Sequence, residues 1–294
     1  MEGETDWIPI PGPAAPLPEF TTIFNGFKAL TILFNQGCND SNEASTATNN
    51  NHLKVGVCPG PYGKLFNDGI APILKEKGYT VEIVEFTDYV QPDLALESGD
   101  INVNLMQHQE YFDNIVKTQN LHLKAISNVP TLGMLVFSEK VTNLNNLPKG
   151  AKVALPSDSV NYYRALKLLS ENNLIKVNNV TDVNKVKGSD IVENPYELEF
   201  VQMEAAQIPR SFDSVELALV PGNYALASNL DLSKALAQEN VAEGIKNIVA
   251  VKEGNEKLEK DLFLAIRSEQ FKKYINENDS LYKSFSRPNW WDKE

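Results

Sequence analysis

From residue 53 onward, short apolar runs rich in β-branched residues alternate with stretches whose apolar positions recur at helical spacing. The pattern predicts strands at residues 54–57, 80–86 and 101–105, and helices at residues 62–77, 90–97 and 110–119. Strands that alternate with helices in this way form parallel sheets covered by helices. We therefore expect an α/β protein whose first lobe begins with a βαβαβ unit.

A second set of strands and helices follows an apolar run at residues 132–138. The predicted elements are strands at 152–155, 198–203, 217–220 and 247–251, and helices at 161–171, 205–212, 224–228 and 258–276. Two successive sets indicate two lobes. We expect the chain to cross between them near residues 132–137 and 222–224. Lobe 1 then comprises residues 53–137 and 225–294, and lobe 2 comprises residues 138–224.

The turns after the predicted strands carry most of the side chains that could bind a ligand. Ligands of open α/β sheets bind beyond the carboxyl ends of the strands, so these turns should face one cleft. The residues that we expect to line it are Tyr62, Tyr89, Met106, His108, Asn161, Arg164 and Asn223. Aromatic, thioether, amide and guanidinium groups together suit a small zwitterion with an apolar side chain.

The segment 153–166, VALPSDSVNYYRAL, is the most specific part of this prediction. An apolar strand passes through small polar residues into a helix, whose first N–H groups and dipole favour an anion. Arg164 adds a guanidinium that can donate two parallel hydrogen bonds to a carboxylate. The alternative is that Arg164 simply pairs with the nearby Asp158.

Each of the other residues also has a structural alternative. His108 is then a packed histidine, Met106 fills the core, and Tyr62 and Tyr89 cover the sheets. Asn161 is then a helix N-cap and Asn223 a turn residue. No GxSxG, GxGxxG, P-loop or HExxH motif occurs, and no CxxC pair or helical histidine pair points to a metal site. We expect neither an enzyme nor a cofactor.

Composition limits the class of protein further. The net charge of -12 argues against a nucleic-acid partner, because phosphate backbones require a basic surface. The length of 294 residues agrees with about two domains. No run of about 18 apolar residues is present, so the sequence predicts no membrane-spanning helix.

The first 52 residues differ from the rest. Residues 1–20 are rich in proline and lack the basic start of a secretory signal, and residues 24–38 are similar to the end of a bacterial lipoprotein signal. We expect a leader or extension at 1–37, lipidation at Cys38 and a polar disordered tether at 38–52. An ordinary amphipathic segment is the alternative to the signal, and a Cys38–Cys58 disulfide is the alternative to the lipid.

Several segments together resemble the NlpA/MetQ family of lipid-anchored, methionine-binding proteins of ABC importers. They are VGVCPGPY, EFTDYVQPDLALESGDINVN, MQHQEYF, GAKVALPSDSVNYYRAL, LEFVQMEAAQIPRSFDSVELALVPGNYAL and NIVAVKEG, which occur in this order from residue 54 onward. The resemblance implies a two-lobed periplasmic-binding fold of type II, with a mixed, mostly parallel sheet in each lobe and the ligand cleft between the lobes. It also implies a monomer, anchored on the extracytoplasmic face of the cell membrane by acyl chains such as palmitate. Its partners are then the permease and ATPase of an ABC importer.

The resemblance also implies roles for the cleft residues. Arg164 would pair with the ligand carboxylate, Asn161 and Asn223 would hold the backbone groups of the ligand, and Tyr62, Tyr89, Met106 and His108 would surround its side chain. Tyr62 replaces a histidine that is frequent in the family, and Tyr162–Tyr163 replace small glycines. The resemblance therefore implies that the carboxylate end of the pocket is preserved and that its side-chain end is altered. The expected function is capture of L-methionine or a related compound for import. The alternative is a surface lipoprotein of this fold with altered or lost ligand specificity, acting as an adhesin or antigen.

Overall fold

The computed structural model describes residues 51–293. The expected leader, nearly all of the expected tether and the expected lipidation site Cys38 lie outside this range. Within it, the helices are too short or too polar for any of them to span a bilayer.

Within residues 51–293, twelve strands form two five-stranded sheets and one small antiparallel pair. The strands are β1 (His52–Val57), β2 (Thr80–Glu85), β3 (Val103–Asn104), β4 (Leu123–Asn128), β5 (Leu135–Phe137), β6 (Lys152–Pro156), β7 (Lys176–Val177), β8 (Ile191–Glu193), β9 (Glu199–Met203), β10 (Leu217–Val220), β11 (Ala237–Gln238) and β12 (Ile248–Lys252).

Each large sheet has four strands in one direction and one strand against them. The first sheet has the order β2-β1-β3-β12-β4, in which β12 is antiparallel to both neighbours. The second has the order β11-β5-β10-β6-β9, in which β5 is antiparallel to both neighbours. We call the first sheet with its helices lobe 1 and the second lobe 2. The predicted two-lobed α/β fold with mixed, mostly parallel sheets is confirmed.

The chain passes from lobe 1 to lobe 2 between β4 and β5, and it returns between β11 and β12. The return therefore lies at residues 239–247, not at the expected 222–224. The strands β5 and β11 pair with each other in the second sheet, although the expected division placed both in lobe 1. Strand β11 has only two residues, which is too short to leave a recognisable apolar pattern.

The helices surround the two sheets. They are α1 (Tyr62–Lys64), α2 (Ala71–Glu76), α3 (Gln91–Ser98), α4 (Gln109–Gln119), α5 (Ser159–Glu171), α6 (Gly222–Ala227), α7 (Glu256–Ile266), α8 (Glu269–Glu277) and α9 (Asp279–Tyr282). A π-helical stretch, Leu65–Ile70, joins α1 to α2, so the predicted helix at 62–77 is continuous but irregular.

Two predicted helices differ from those observed. The helix expected at 205–212 is a 3₁₀-helix, Ala205–Arg210, because the Pro209 ring lacks an N–H group and clashes with the preceding turn of an α-helix. The helix expected at 258–276 is divided into α7 and α8. Ser268 makes the division by capping α8, since its hydroxyl accepts a hydrogen bond from Phe271 N at 3.1 Å.

Both lobes have a closely packed apolar core. In lobe 1 the helices α7 and α8 and the C-terminal segment cover the sheet, and Phe66, Phe271 and Tyr282 are fully buried there. In lobe 2 the helix α5 packs Leu166 and Leu169 against Leu155 and Leu217 of the sheet. The cores fix the strand ends that face the cleft.

Candidate functional site

The strand ends of the two lobes meet at a cavity between the lobes. All the residues predicted for the cleft line it: Tyr62, Tyr89, Met106, His108, Asn161, Arg164 and Asn223. Its other lining residues are Gln107, Tyr111, Leu132, Pro221, Gly222 and Asn247.

Helix α5 presents Asn161 and Arg164 to this cavity from lobe 2. The helix is capped by Asp158, whose Oδ1 accepts a hydrogen bond from Asn161 N at 2.8 Å. The interpretation of Asn161 as the N-cap was therefore wrong, because the cap lies three residues earlier. Residues three apart share one face of a helix, so Asn161 and Arg164 point in the same direction.

Arg164 makes its ion pair with Glu239, not with Asp158. Its Nε donates to Glu239 Oε1 at 2.7 Å and its Nη2 donates to Glu239 Oε2 at 2.5 Å. Its Nη1 donates to Asn161 Oδ1 at 3.1 Å. Only 9% of each side chain of the ion pair is exposed to solvent.

Both partners of this ion pair are charged. Burial acts to lower the pKa of Arg164, but the Glu239 carboxylate outweighs it and raises the pKa above its usual value. Burial acts to raise the pKa of Glu239, but the Arg164 guanidinium outweighs it and the pKa lies below its usual value. The pair therefore contributes a full positive and a full negative charge, with no net charge, beside the cavity.

His108 faces Arg164 from lobe 1 and is neutral. Burial, followed by the positive charge of Arg164, lowers the pKa of His108 to about 3. Its Nδ1 accepts a hydrogen bond from Tyr111 N at 3.1 Å at the start of α4. The proton must then be on Nε2, which lies 3.1 Å from Asn161 Oδ1 and donates to it. Asn161 Oδ1 thus accepts from both His108 and Arg164.

Asn223 connects the lobes on another side of the cavity. Its Oδ1 accepts a hydrogen bond from Tyr89 OH at 2.9 Å, and its Nδ2 donates to Pro59 O at 3.1 Å. Burial raises the pKa of Tyr89 well above its usual value, so the phenol keeps its proton and remains a donor. The rings of Tyr89 and Tyr111 meet edge to face, with centroids 5.9 Å apart. Tyr89 and Tyr111 therefore contribute a pair of packed aromatic rings to the lining of the cavity.

Comparison with known proteins places this architecture in a family. The sequence model of the NlpA lipoprotein family matches residues 53–290. The chain belongs to the NlpA lipoprotein family. It is 34% identical over 256 residues to "Outer membrane lipoprotein 3" of Mannheimia haemolytica, covering 86% of this chain and 94% of that protein. It is 33% identical over 243 residues to "D-methionine-binding lipoprotein MetQ" of Escherichia coli K12, covering 81% and 85% of the two chains.

A solved structure shows the same fold. The structure titled "a nutrient binding protein from Burkholderia cenocepacia bound to methionine" superposes with a TM-score of 0.73 at 35% identity. The match covers 80% of this chain and 99% of that chain. The predicted NlpA membership is thus confirmed by sequence and by fold.

Sequence reasoning missed several residues of this NlpA-family cavity. Two of them could have been predicted from their distance to His108 along the chain. Gln107 lies in the same turn as His108, and Tyr111 lies one helical turn after it. Asn247 lines the cavity because β12 runs antiparallel to its neighbours. The start of β12 therefore lies at the same edge of the sheet as the carboxyl ends of the other strands. Glu239, which pairs with the lining residue Arg164 without lining the cavity itself, had no signal, because it lies in a polar stretch between short elements.

Tyr162 and Tyr163 do not line the cavity, although they were expected to alter its side-chain end. Tyr162 packs in the core of lobe 2. Tyr163 OH donates to Asn178 O at 3.1 Å and accepts from Val180 N at 2.9 Å. Neither side chain therefore belongs to the lining of the cavity, although Tyr163 lines a second pocket together with Arg164.

Proposed function

We propose that the chain is an extracytoplasmic substrate-binding lipoprotein that captures a small amino acid, with methionine or a close relative as the leading ligand. It delivers the ligand to the permease and ATPase of an ABC importer. The names of its relatives support this proposal, since several are methionine-binding lipoproteins or structures bound to methionine. None of the contacts described above requires a catalytic role.

The observation that carries the proposal is the unused part of the Arg164 guanidinium. A guanidinium has five N–H groups. Three of those on Arg164 donate to Glu239 and Asn161, which leaves one on each terminal nitrogen without an acceptor in the described part of the chain. Arg164 also lines the cavity. A ligand carboxylate that accepts from these two groups completes the hydrogen bonding of the arginine.

The charges around the cavity support a zwitterion over an anion. The Arg164–Glu239 pair has no net charge and His108 is neutral. An anionic ligand would therefore introduce a buried charge without compensation, which is costly. An amino acid brings one charge of each sign.

The remaining predicted residues divide between positioning and contact. We propose that Asn161 acts by orienting Arg164 and His108, since its Oδ1 already accepts from both. Asn223 holds the backbone of the ligand. Tyr62, Tyr89, Met106 and His108 surround the apolar side chain, for which a thioether is well suited because sulfur packs favourably at aromatic edges.

The membrane anchor belongs to the same proposal. We propose that acyl chains at Cys38 hold the protein on the extracytoplasmic face of the membrane, and that residues 38–52 are a tether that lets a monomer reach the importer. More than one acyl chain is needed, because a single chain binds bilayers only weakly.

Calorimetry and thermal unfolding of the full chain test the proposal. L-methionine, D-methionine and a methionyl dipeptide are the probes, and a ligand at a hundredfold excess over its Kd should stabilise the fold by about 2.7 kcal/mol. Arg164→Lys keeps the charge beside Glu239 but loses the planar fork, so it should weaken binding about tenfold or more. Arg267→Lys, remote from the cavity, is the matched control. If no probe stabilises the wild type, the transport function is wrong and the adhesin or antigen alternative is favoured.

A further inference from the structure

Three polar side chains are buried together directly behind the wall of the cavity. They are Asp93 of α3, Asn104 of β3 and Gln107 of the turn that follows β3, with 0%, 0% and 4% of their surface exposed. Only Gln107 reaches the cavity and lines it. Buried carboxylates and amides are costly unless they are hydrogen-bonded, so their partners need an account.

Asp93 determines the orientation of both amides. Its Oδ1 accepts from Asn104 Nδ2 at 2.8 Å and from Gln107 Nε2 at 2.6 Å. With each amide nitrogen directed at the carboxylate, each amide oxygen is directed away from it. The carboxylate therefore sets the orientation of each amide, because rotating an amide by half a turn would place its oxygen against Asp93 Oδ1.

One acceptor of this group, Gln107 Oε1, belongs to a residue that lines the cavity and has no donor in the described part of the chain. Asp93 Oδ2, Asn104 Oδ1 and Gln107 Oε1 are buried and have no hydrogen-bond partner in the described part of the chain. Asn161 Oδ1 and Asn223 Oδ1, which also adjoin the cavity, already accept from protein donors. An N–H group of a ligand at the Gln107 wall would therefore gain an acceptor that is otherwise unused.

We propose that Gln107 Oε1 accepts a hydrogen bond from the ligand ammonium, and that Asp93 is the positioning residue that keeps this oxygen turned toward the cavity. The proposal rests on the proposed function, in which the ligand is a zwitterionic amino acid. Without Asp93 the Gln107 amide can rotate by half a turn and present its own N–H groups to the ammonium. Asp93 thus selects for the amino group of the ligand without touching it.

The test compares two probes with the full chain by calorimetry. One is L-methionine and the other is 4-(methylthio)butanoate, which has the same side chain and carboxylate but no amino group. Asp93→Leu removes the acceptor, Asp93→Asn keeps one oxygen that can accept from both amides, and Gln107→Met removes the proposed ligand contact. A hydrogen bond to a charged group corresponds to about a tenfold to hundredfold change in affinity.

We expect the preference for methionine over its desamino analogue to fall by that factor in Asp93→Leu and Gln107→Met, and to persist in Asp93→Asn. A purely structural role would weaken both probes alike and leave the preference unchanged. An unchanged preference in Gln107→Met overturns the ammonium contact, and this holds even if Asp93→Leu fails to fold. Loss of the preference in Asp93→Asn overturns the role of Asp93. Absence of methionine binding by the wild type overturns the proposed function, and this inference with it.

Discussion

Arg164 of α5 and Glu239, which lies where the chain returns from lobe 2 to lobe 1, are joined by two hydrogen bonds of 2.7 Å and 2.5 Å. Glu239 follows β11 directly, where the chain begins its return to lobe 1. Its Oε2 also accepts from Met134 N at 2.9 Å, on the first passage between the lobes. The arginine that we propose to bind the ligand is thus held against both connections.

Loss of Glu239 should be more damaging than loss of an exposed partner. Glu239→Ala leaves the Arg164 guanidinium buried without a counter-charge, and we expect it to lower the free energy of unfolding by about 3–5 kcal/mol. Glu193→Ala removes the carboxylate of the exposed pair with Lys176 and should change the free energy of unfolding very little, because solvent screens this pair. Urea denaturation of both variants measures the difference, and equal effects would contradict the structural importance of the Arg164–Glu239 pair.

The sequence predicted the strand ends well because the signals there are local. Apolar runs locate β1, β6 and β10, and the rule that ligands bind beyond the carboxyl ends of strands then places Tyr62, Arg164 and Asn223 at one cavity. The two lobes and most helices follow from the same periodicity. A single sequence is sufficient to predict a cavity residue wherever the turn that carries it directly follows a recognisable strand.

The sequence failed where the relationship is between distant segments. Glu239 pairs with Arg164 across 75 positions, and no pattern around either residue records the other. Strand β11 is defined by pairing with β5 and not by its own two residues. The orientation of Gln107 likewise depends on Asp93, which the chain presents as an ordinary acidic residue in the first turn of a helix.

Two buried groups should give the stability opposite dependences on pH. Burial, against the hydrogen bonds from Gln107 and Asn104, raises the pKa of Asp93 from 3.8 to about 7, so its contribution is present at low pH and is lost as the pH rises through 7. The pKa of His108 is lowered from 6.5 to about 3, so its contribution is present above pH 6.5 and is lost on acidification. Between pH 5 and 7 the two contributions oppose each other.

Single variants should separate them. Asp93→Asn leaves His108 unopposed, so the free energy of unfolding should fall by about 2 kcal/mol more than that of the wild type between pH 7 and pH 5, at about 1.4 kcal/mol per pH unit. His108→Gln should have the opposite effect and become more stable on acidification. Denaturant titrations at both pH values measure this. Parallel pH profiles for the wild type and both variants would contradict the assignment.

Gly60 lies against Asn223 and should not tolerate a side chain. Its φ of +134° is unfavourable for other residues, and a Cβ there would lie 2.7 Å from Asn223 O. We expect Gly60→Ala to displace Asn223 and to weaken methionine binding about tenfold or more. Gly254→Ala carries a similar strain, at φ of +104°, with nothing within 4 Å of the added Cβ. Calorimetry on both variants separates displacement of Asn223 from strain, and equal losses of affinity would contradict a role for this contact in binding.

Cys38 should carry the lipid if the anchor proposal is right. In cells supplied with labelled palmitate, the wild type should be labelled and sediment with membranes, and Cys38→Ser should be unlabelled and remain in the soluble fraction. Cys58→Ser is the control, because Cys58 is a buried free thiol whose Sγ donates to Asp88 O at 3.2 Å. Labelling that persists in Cys38→Ser would place the anchor elsewhere.

A contact outside the cavity should influence ligand affinity through closure of the lobes. Asn114 of α4 and Asn184 exchange amide hydrogen bonds across the cleft, with Asn184 Nδ2 at 2.6 Å from Asn114 Oδ1. Neither residue lines the cavity. If the ligand binds only the closed form, the apparent affinity is proportional to the fraction of protein that is closed. A variant that favours the open form therefore lowers the apparent affinity by the same factor as the closed fraction.

Asn114→Ala should therefore weaken methionine binding about twofold to tenfold, since the shorter of the two exposed hydrogen bonds that it removes contributes about 0.5–1.5 kcal/mol and the longer, at 3.4 Å, adds little. Because the ligand contacts are intact, the preference for methionine over its desamino analogue should not change. Asn145→Ala, on the surface of lobe 2 away from the cleft, is the control. Small-angle scattering of the unliganded variant should show a larger radius of gyration than the wild type. A changed ligand preference would instead mean that Asn114 acts on the site itself.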